Sequence, residues 1–337
     1  MKRNDTPKLG GGPSLARFDT HIIVDWSARS RPSPARPTRD SIWWCTAREG
    51  VALEPEYART RHEAIGRLAV ILRGELDDDH RTLVGFDFPF GYPAGVARDL
   101  TGQPLAFALW NWLDERIHDA GDNANNRFEV AQAINRHYPG VGPCWGRPAS
   151  WSHPGVPTRK SDCTHQEAHP PDRRLADRRA KGAKTVWQLA YAGSVGSQVL
   201  LGLPALNRLV RDPRLKGQIA IWPFDTGLSV PDLPVVIAEI YPSLLKREVD
   251  QRRRSDEILD AAQVRVNAEA FSRLDRRCLL APLFEGEQSL TAEERKTIET
   301  EEAWILGLGH ESALRDALNS PWLHLRPRQC PGDPGAP

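Results

Sequence analysis

Three separate apolar stretches each run into an acidic residue. His21-Ile-Ile-Val24 leads into Asp25-Trp26, Thr82-Leu-Val-Gly-Phe86 into Asp87, and Val235-Val-Ile-Ala238 into Glu239. Short β-branched and aromatic runs closed by Pro or Gly, as in Asp87-Phe-Pro-Phe-Gly-Tyr-Pro93, read as buried strands. A carboxylate at the C-terminal edge of such a strand lies where open α/β sheets bind ligands. Any one of these acids can also be explained as a cap of its own turn. Three are harder to explain separately, because like charges brought to one crevice repel unless a cation neutralises them or their pKa values rise.

The chain of 337 residues is long enough for about two domains, or for one domain with a large insertion. Its 40% hydrophobic and 26% charged residues are ordinary for a globular protein, and a net charge of +1 provides no global field for nucleic acid or an anionic membrane. No apolar leader or run of membrane-spanning length is visible, so a cytoplasmic location and no membrane partner are expected. Five scattered cysteines without a C-x-x-C pair suggest reduced thiols.

After the first strand comes Ala28–Asp40, with Arg29, Arg31, Arg36, Arg39 and three prolines. It reads as a stiff extended loop, either solvated or able to grip a phosphate bidentately. Ser41–Ala47 and Ala52–Arg59 read as a hairpin. A helix follows, started by Thr60 and Glu63, which fit a capping box; Glu63 is a site candidate for which capping is the simpler role. Residues 105–234 are too long for a loop and form a mainly helical insertion. Within it, Arg127 beside Asn125 and Asn126 offers either a polar contact for substrate or a helix start. Residues 159–179 are charged, low in apolar content and expected to be mobile. Lys181–Pro204 reads as one helix, on which Lys184 and Gln188 share a polar stripe that can face the site. A second helix, over Glu257–Asp275, places Asp260 near its start.

The motifs I-V-D-W-S, G-F-D-F-P-F-G-Y-P and A-E-I-Y-P-S resemble an uncharacterised family of ribonuclease-H-like proteins, a subgroup of which is often labelled as molybdopterin-guanine-dinucleotide synthesis proteins. The resemblance implies a three-layer α/β fold with a mixed five-stranded sheet and a large insertion. Expected segments are a lead at 1–16, a first half of the core at 17–104, the insertion at 105–234, a second half at 235–275, a helical extension at 276–327 and a tail at 328–337. It also implies that strands one and four lie side by side and bring Asp25 and Asp87 to one metal site, with Asp260 as the acid supplied by a late helix.

Taken together, Asp25, Asp87, Glu239 and Asp260 are the expected catalytic and metal-binding set, for Mg2+ or Mn2+. Arg29, Arg31, Arg127, Lys184 and Gln188 are the expected substrate contacts. Such a site suits a metal-dependent phosphodiesterase or nuclease-like hydrolase acting on nucleic acid or a small phosphorylated or nucleotide substrate. The alternative is a non-catalytic binding or assembly protein in molybdenum-cofactor maturation.

Overall fold

The structure, a computed structural model, describes residues 17–163 and 168–320. The expected lead at 1–16 and tail at 328–337 lie outside the described residues. In chain order the elements are β1 Thr20–Asp25, β2 Ile42–Arg48, β3 Val51–Ala52, β4 Glu56–Ala58, α1 Arg61–Asp77, β5 Thr82–Phe86, α2 Val96–Thr101, α3 Ala106–Asp114, α4 Arg127–Asn135, α5 Leu175–Arg179, α6 Gly196–Val210, β6 Ile219–Ile221, β7 Val235–Glu239, α7 Lys246–Arg252, α8 Leu259–Arg276, α9 Ala292–Thr297 and α10 Glu311–Asn319. Among the described residues, no helix is long and apolar enough to cross a membrane.

β1, β5 and β7 are apolar without alternation because both faces of the sheet are covered. Ile22, Val24, Val84, Phe86 and Ile237 pack with α1, α3 and α6 on one face. Ile23, Leu83, Val236 and Ala238 pack with α8 and α10 on the other. Gly85 faces α8, where a Cβ would stand 2.7 Å from Ile240 and 2.8 Å from Ile23, so a side chain there would force these residues apart.

The sheet order is β3-β2-β1-β5-β7-β6, with β4 also on β2. β2 runs antiparallel to β1, whereas β5, β7 and β6 run parallel with it. The sheet is therefore mixed and seven-stranded, not five-stranded. Pro55 divides the expected second hairpin strand into β3 and β4, and Ile219–Ile221 adds an edge strand beyond β7.

Other expectations need correcting, in the insertion and after it. Lys181–Val195 is irregular and helix starts only at Gly196, because Tyr191 and Gly193 take positive φ values of 74° and 77°. The stretch expected to be mobile contains α5 and the fully buried Arg174. α8 begins at Leu259, two residues after the expected start at Glu257, with no side-chain cap. Cys45, Cys144 and Cys163 are free thiols, but Cys278 is disulfide-bonded, against the expectation of reduced cysteines throughout.

Candidate functional site

The parallel registers place Val24 beside Phe86 and Phe86 beside Glu239. Asp25 and Asp87 each stand one residue beyond that row, and the Asp87 amide extends the ladder by donating to the Val24 carbonyl at 3.0 Å. Successive strand residues point to opposite faces. Asp25 thus follows Ile23, and Asp87 follows Gly85, toward α8. Glu239 follows Ile237 toward the opposite face. A difference of one residue in phase separates the third acid from the first two.

α8 supplies the next acid. Asp260 lies in its first turn, and its Oδ2 accepts the Asp40 amide at 2.7 Å. Asp40 ends the arginine-rich loop in a left-handed conformation with φ 55°. Burial pushes the Asp25 carboxyl well above the ordinary range, and Asp87, Asp260 and Asp40 push it in the same direction; the Trp26 amide opposes them. The Asp87 carboxyl is pushed up to about 7, first by burial and then by Glu239 and Asp260. Asp260 is also raised, chiefly by burial, while its bond from Asp40 acts the other way. Both Asp25 and Asp87 keep some exposure, and among the described residues neither carries a salt bridge. The same residues include no set of three or more His, Cys, Asp or Glu side chains placed to hold a metal ion. The acids are electrostatic neighbours, not a closed cage.

Glu239 has a different environment. Its Oε1 takes Arg174 Nη2 at 2.6 Å, and its Oε2 takes Arg174 Nη1 at 2.7 Å and the Phe90 amide at 2.8 Å. Arg174 is also held by Asp177 at 2.8 Å. Burial works against the Arg174 charge, yet Asp177 and Glu239 outweigh it and hold the guanidinium strongly protonated. This buried ion pair commits the Glu239 oxygens to the protein, so its expected role as a metal ligand does not fit this arrangement.

Asp25, Asp40 and Asp260 border a cleft of about 550 Å³, together with Arg29, Arg127 and the loop of residues 189–194. Arg29 holds the cleft rim in shape, donating from Nε to the Asp40 carbonyl at 2.9 Å and from Nη2 to the Arg39 carbonyl at 3.1 Å. Arg127 is buried, and burial lowers its pKa to about 10, helped by Arg61. Arg31 is exposed and does not border this cleft. Lys184 is exposed beside Gly193, and Gln188 donates to the Ala190 carbonyl at 3.1 Å, so it shapes the cleft loop. These two do not share a helical stripe, because no helix forms there. Glu63 stays at the start of α1, accepting the Arg59 amide at 3.0 Å.

Two participants escaped the sequence reading. Asp40 had a usable signal: it lies just before β2, whose Trp43 pairs with Asp25. Arg174 had none, since it sits in a stretch with little apolar patterning. No protein-family model, no curated protein and no solved structure matches the chain.

Proposed function

We propose that this chain is a divalent-metal-dependent phosphoester hydrolase built on a ribonuclease-H-like core. The fold reading is supported by the antiparallel β3-β2-β1 group continued by parallel β5 and β7, with α1 connecting the two parts. The observation that carries the functional reading is the position of Asp25, crowded by Asp87, Asp260 and Asp40 with no cationic side chain among the described residues paired to it.

That donor set fits a hard cation, which takes carboxylate oxygens and retains water. Asp25 and Asp87 would hold it, with Asp260 as their charged neighbour from α8. When bound, a divalent ion supplies Lewis acidity and lowers the pKa of water. Glu239, paired with Arg174, keeps the Phe88–Tyr92 turn in place through the Phe90 amide and so positions Asp87. Arg29 and Arg127 place positive charge in the same cleft as Asp25 and Asp260, where it would favour an anionic substrate.

Calorimetry with manganese is expected to show binding that Asp87→Asn removes. Turnover is expected for at least one of single-stranded DNA, single-stranded RNA and bis(p-nitrophenyl) phosphate. A variant that binds manganese like the wild type would overturn the metal site. Binding without cleavage of any of the three would favour a binding or assembly protein, such as one in molybdenum-cofactor maturation.

A further inference from the structure

Arg127 is 8% exposed, and its donors can be counted. Nε donates to Ser197 Oγ at 2.8 Å; Nη1 donates to Ser30 Oγ at 2.8 Å and to Asn125 Oδ1 at 2.7 Å. A guanidinium has five N–H groups. Three are used, all on neutral acceptors, and both hydrogens of Nη2 are left without a partner among the described residues. Ser197 is locked in turn, because its hydroxyl donates to the Leu189 carbonyl at 2.6 Å. The acid that acts on Arg127 is Asp119, which is already committed to Arg61 at 2.6 and 2.7 Å. A buried cation held rigidly by neutral groups, with two donors free beside a cleft, is arranged for an anion that is not part of the protein.

Two further features converge on the same place. α6 has 15 residues and starts at Gly196 after Val195, with no side-chain cap. The Gly196 amide is taken by the Gln188 carbonyl at 2.9 Å, and the next amides, of Ser197 and Gln198, have no acceptor within their own helix. Both residues border the cleft, as does Ser194. The other feature is Trp26, which borders the cleft and whose carbonyl accepts Gln198 Nε2 at 2.6 Å, holding the start of α6 against the end of β1.

We propose that Arg127 Nη2, the first amides of α6 and the Ser194 hydroxyl form a subsite for a phosphomonoester group that is not itself cleaved. The subsite lies in the same cleft as Asp25 and Asp260, so the substrate carries a terminal phosphate in addition to the ester held by the acids. A terminal phosphate can come from a nucleoside monophosphate or from the 5′ end of a strand, and the chemistry of capture is shared. What happens to the ligand rests on the hydrolase reading; its capture does not.

The test is titration of the protein with inorganic phosphate in the presence of a chelator, followed by calorimetry. Wild type and Asp87→Asn are expected to bind alike, while Arg127→Met and Ser194→Asp weaken binding about tenfold or more. Ser194→Asp changes an accessible loop position and guards against misfolding of the Arg127 variant; it is expected to retain manganese binding. Absence of wild-type binding at millimolar phosphate, or equal binding by both subsite variants, would overturn the subsite. Loss of binding in Asp87→Asn would move the phosphate to the acids and overturn it as well. A nucleoside 5′-monophosphate or a 5′-phosphorylated oligonucleotide should bind more tightly than its dephosphorylated form. If neither does, the terminal-phosphate assignment fails even where manganese binding and cleavage stand.

Discussion

Arg174 and Glu239 form a two-pronged ion pair inside the protein, with N···O distances of 2.6 and 2.7 Å and the Arg174 side chain fully buried. Removing one partner of such a pair leaves an uncompensated charge in a dry site. Arg174→Met is therefore expected to destabilise the fold by about 3–5 kcal/mol, since both Glu239 and Asp177 lose their counter-ion. Urea denaturation followed by circular dichroism measures this. A cost below about 1 kcal/mol would mean that water or another cation reaches Glu239.

Without divalent cations, stability is expected to fall as pH rises from about 4 to about 7. Asp87 titrates at about 7 in the native state, raised first by burial and then by Glu239 and Asp260, against an ordinary value of 3.8. A native pKa above the unfolded one means the folded protein binds the proton more tightly. The stabilising contribution is complete below about pH 4 and is lost as pH climbs through about 7. Allowing for solvent at this partly exposed group, the loss is of the order of 2 kcal/mol. Thermal melting in chelator at pH 5 and pH 8 should show the lower midpoint at pH 8, and Asp87→Asn should shrink the difference.

Asp25→Asn should separate stability from function. The substitution removes one charge from a group crowded by Asp87, Asp260 and Asp40. The metal-free protein is expected to gain roughly 1–2 kcal/mol at pH 8, while manganese binding and cleavage are lost. Melting with and without manganese reads both effects. A destabilised metal-free variant would show that the Asp25 carboxylate serves the fold.

Gly91 tests how the turn after β5 is held. A Cβ at this position would stand 2.2 Å from the Glu301 carbonyl oxygen and 2.6 Å from the Glu302 carbonyl carbon, so the obstacle is backbone. The same turn is tied down by Glu302 Oε1 accepting the Ala94 amide at 2.8 Å and Glu301 Oε2 accepting the Gly95 amide at 2.9 Å. Gly91→Ala is expected to cost at least about 1–3 kcal/mol and to weaken manganese binding by shifting Asp87. Equal stability of variant and wild type would show that residues 298–302 yield easily.

Much of the sheet could be read from the sequence because β1, β5 and β7 are uninterrupted apolar runs, and burial on both faces leaves that signature. The pairing of Asp25 with Asp87 followed from strands that end in acids and lie adjacent. The fate of Glu239 did not follow, because it depends on register: one residue of phase sends its side chain to the other face, and its partner lies 65 residues away in chain order. Helix periodicity misled over Lys181–Val195, where Tyr191 and Gly193 take backbone conformations that no spacing of apolar residues announces. Asp40 was visible as a residue of the arginine-rich loop, but its membership of the acid group required α8 to dock with Asp260 against its amide.

The bond between Arg174 and Glu239 also bears on how this molecule can be dissected. Arg174 arrives from the long excursion between β5 and β7, and Glu239 ends a central strand. The excursion is thus no detachable accessory: cutting out residues 105–234 would leave a naked carboxylate at the C-terminal end of β7, with nothing to fix the group that holds the Phe90 amide. Shortened versions of the chain should be made by trimming surface loops, with Arg174 and its short helix always retained.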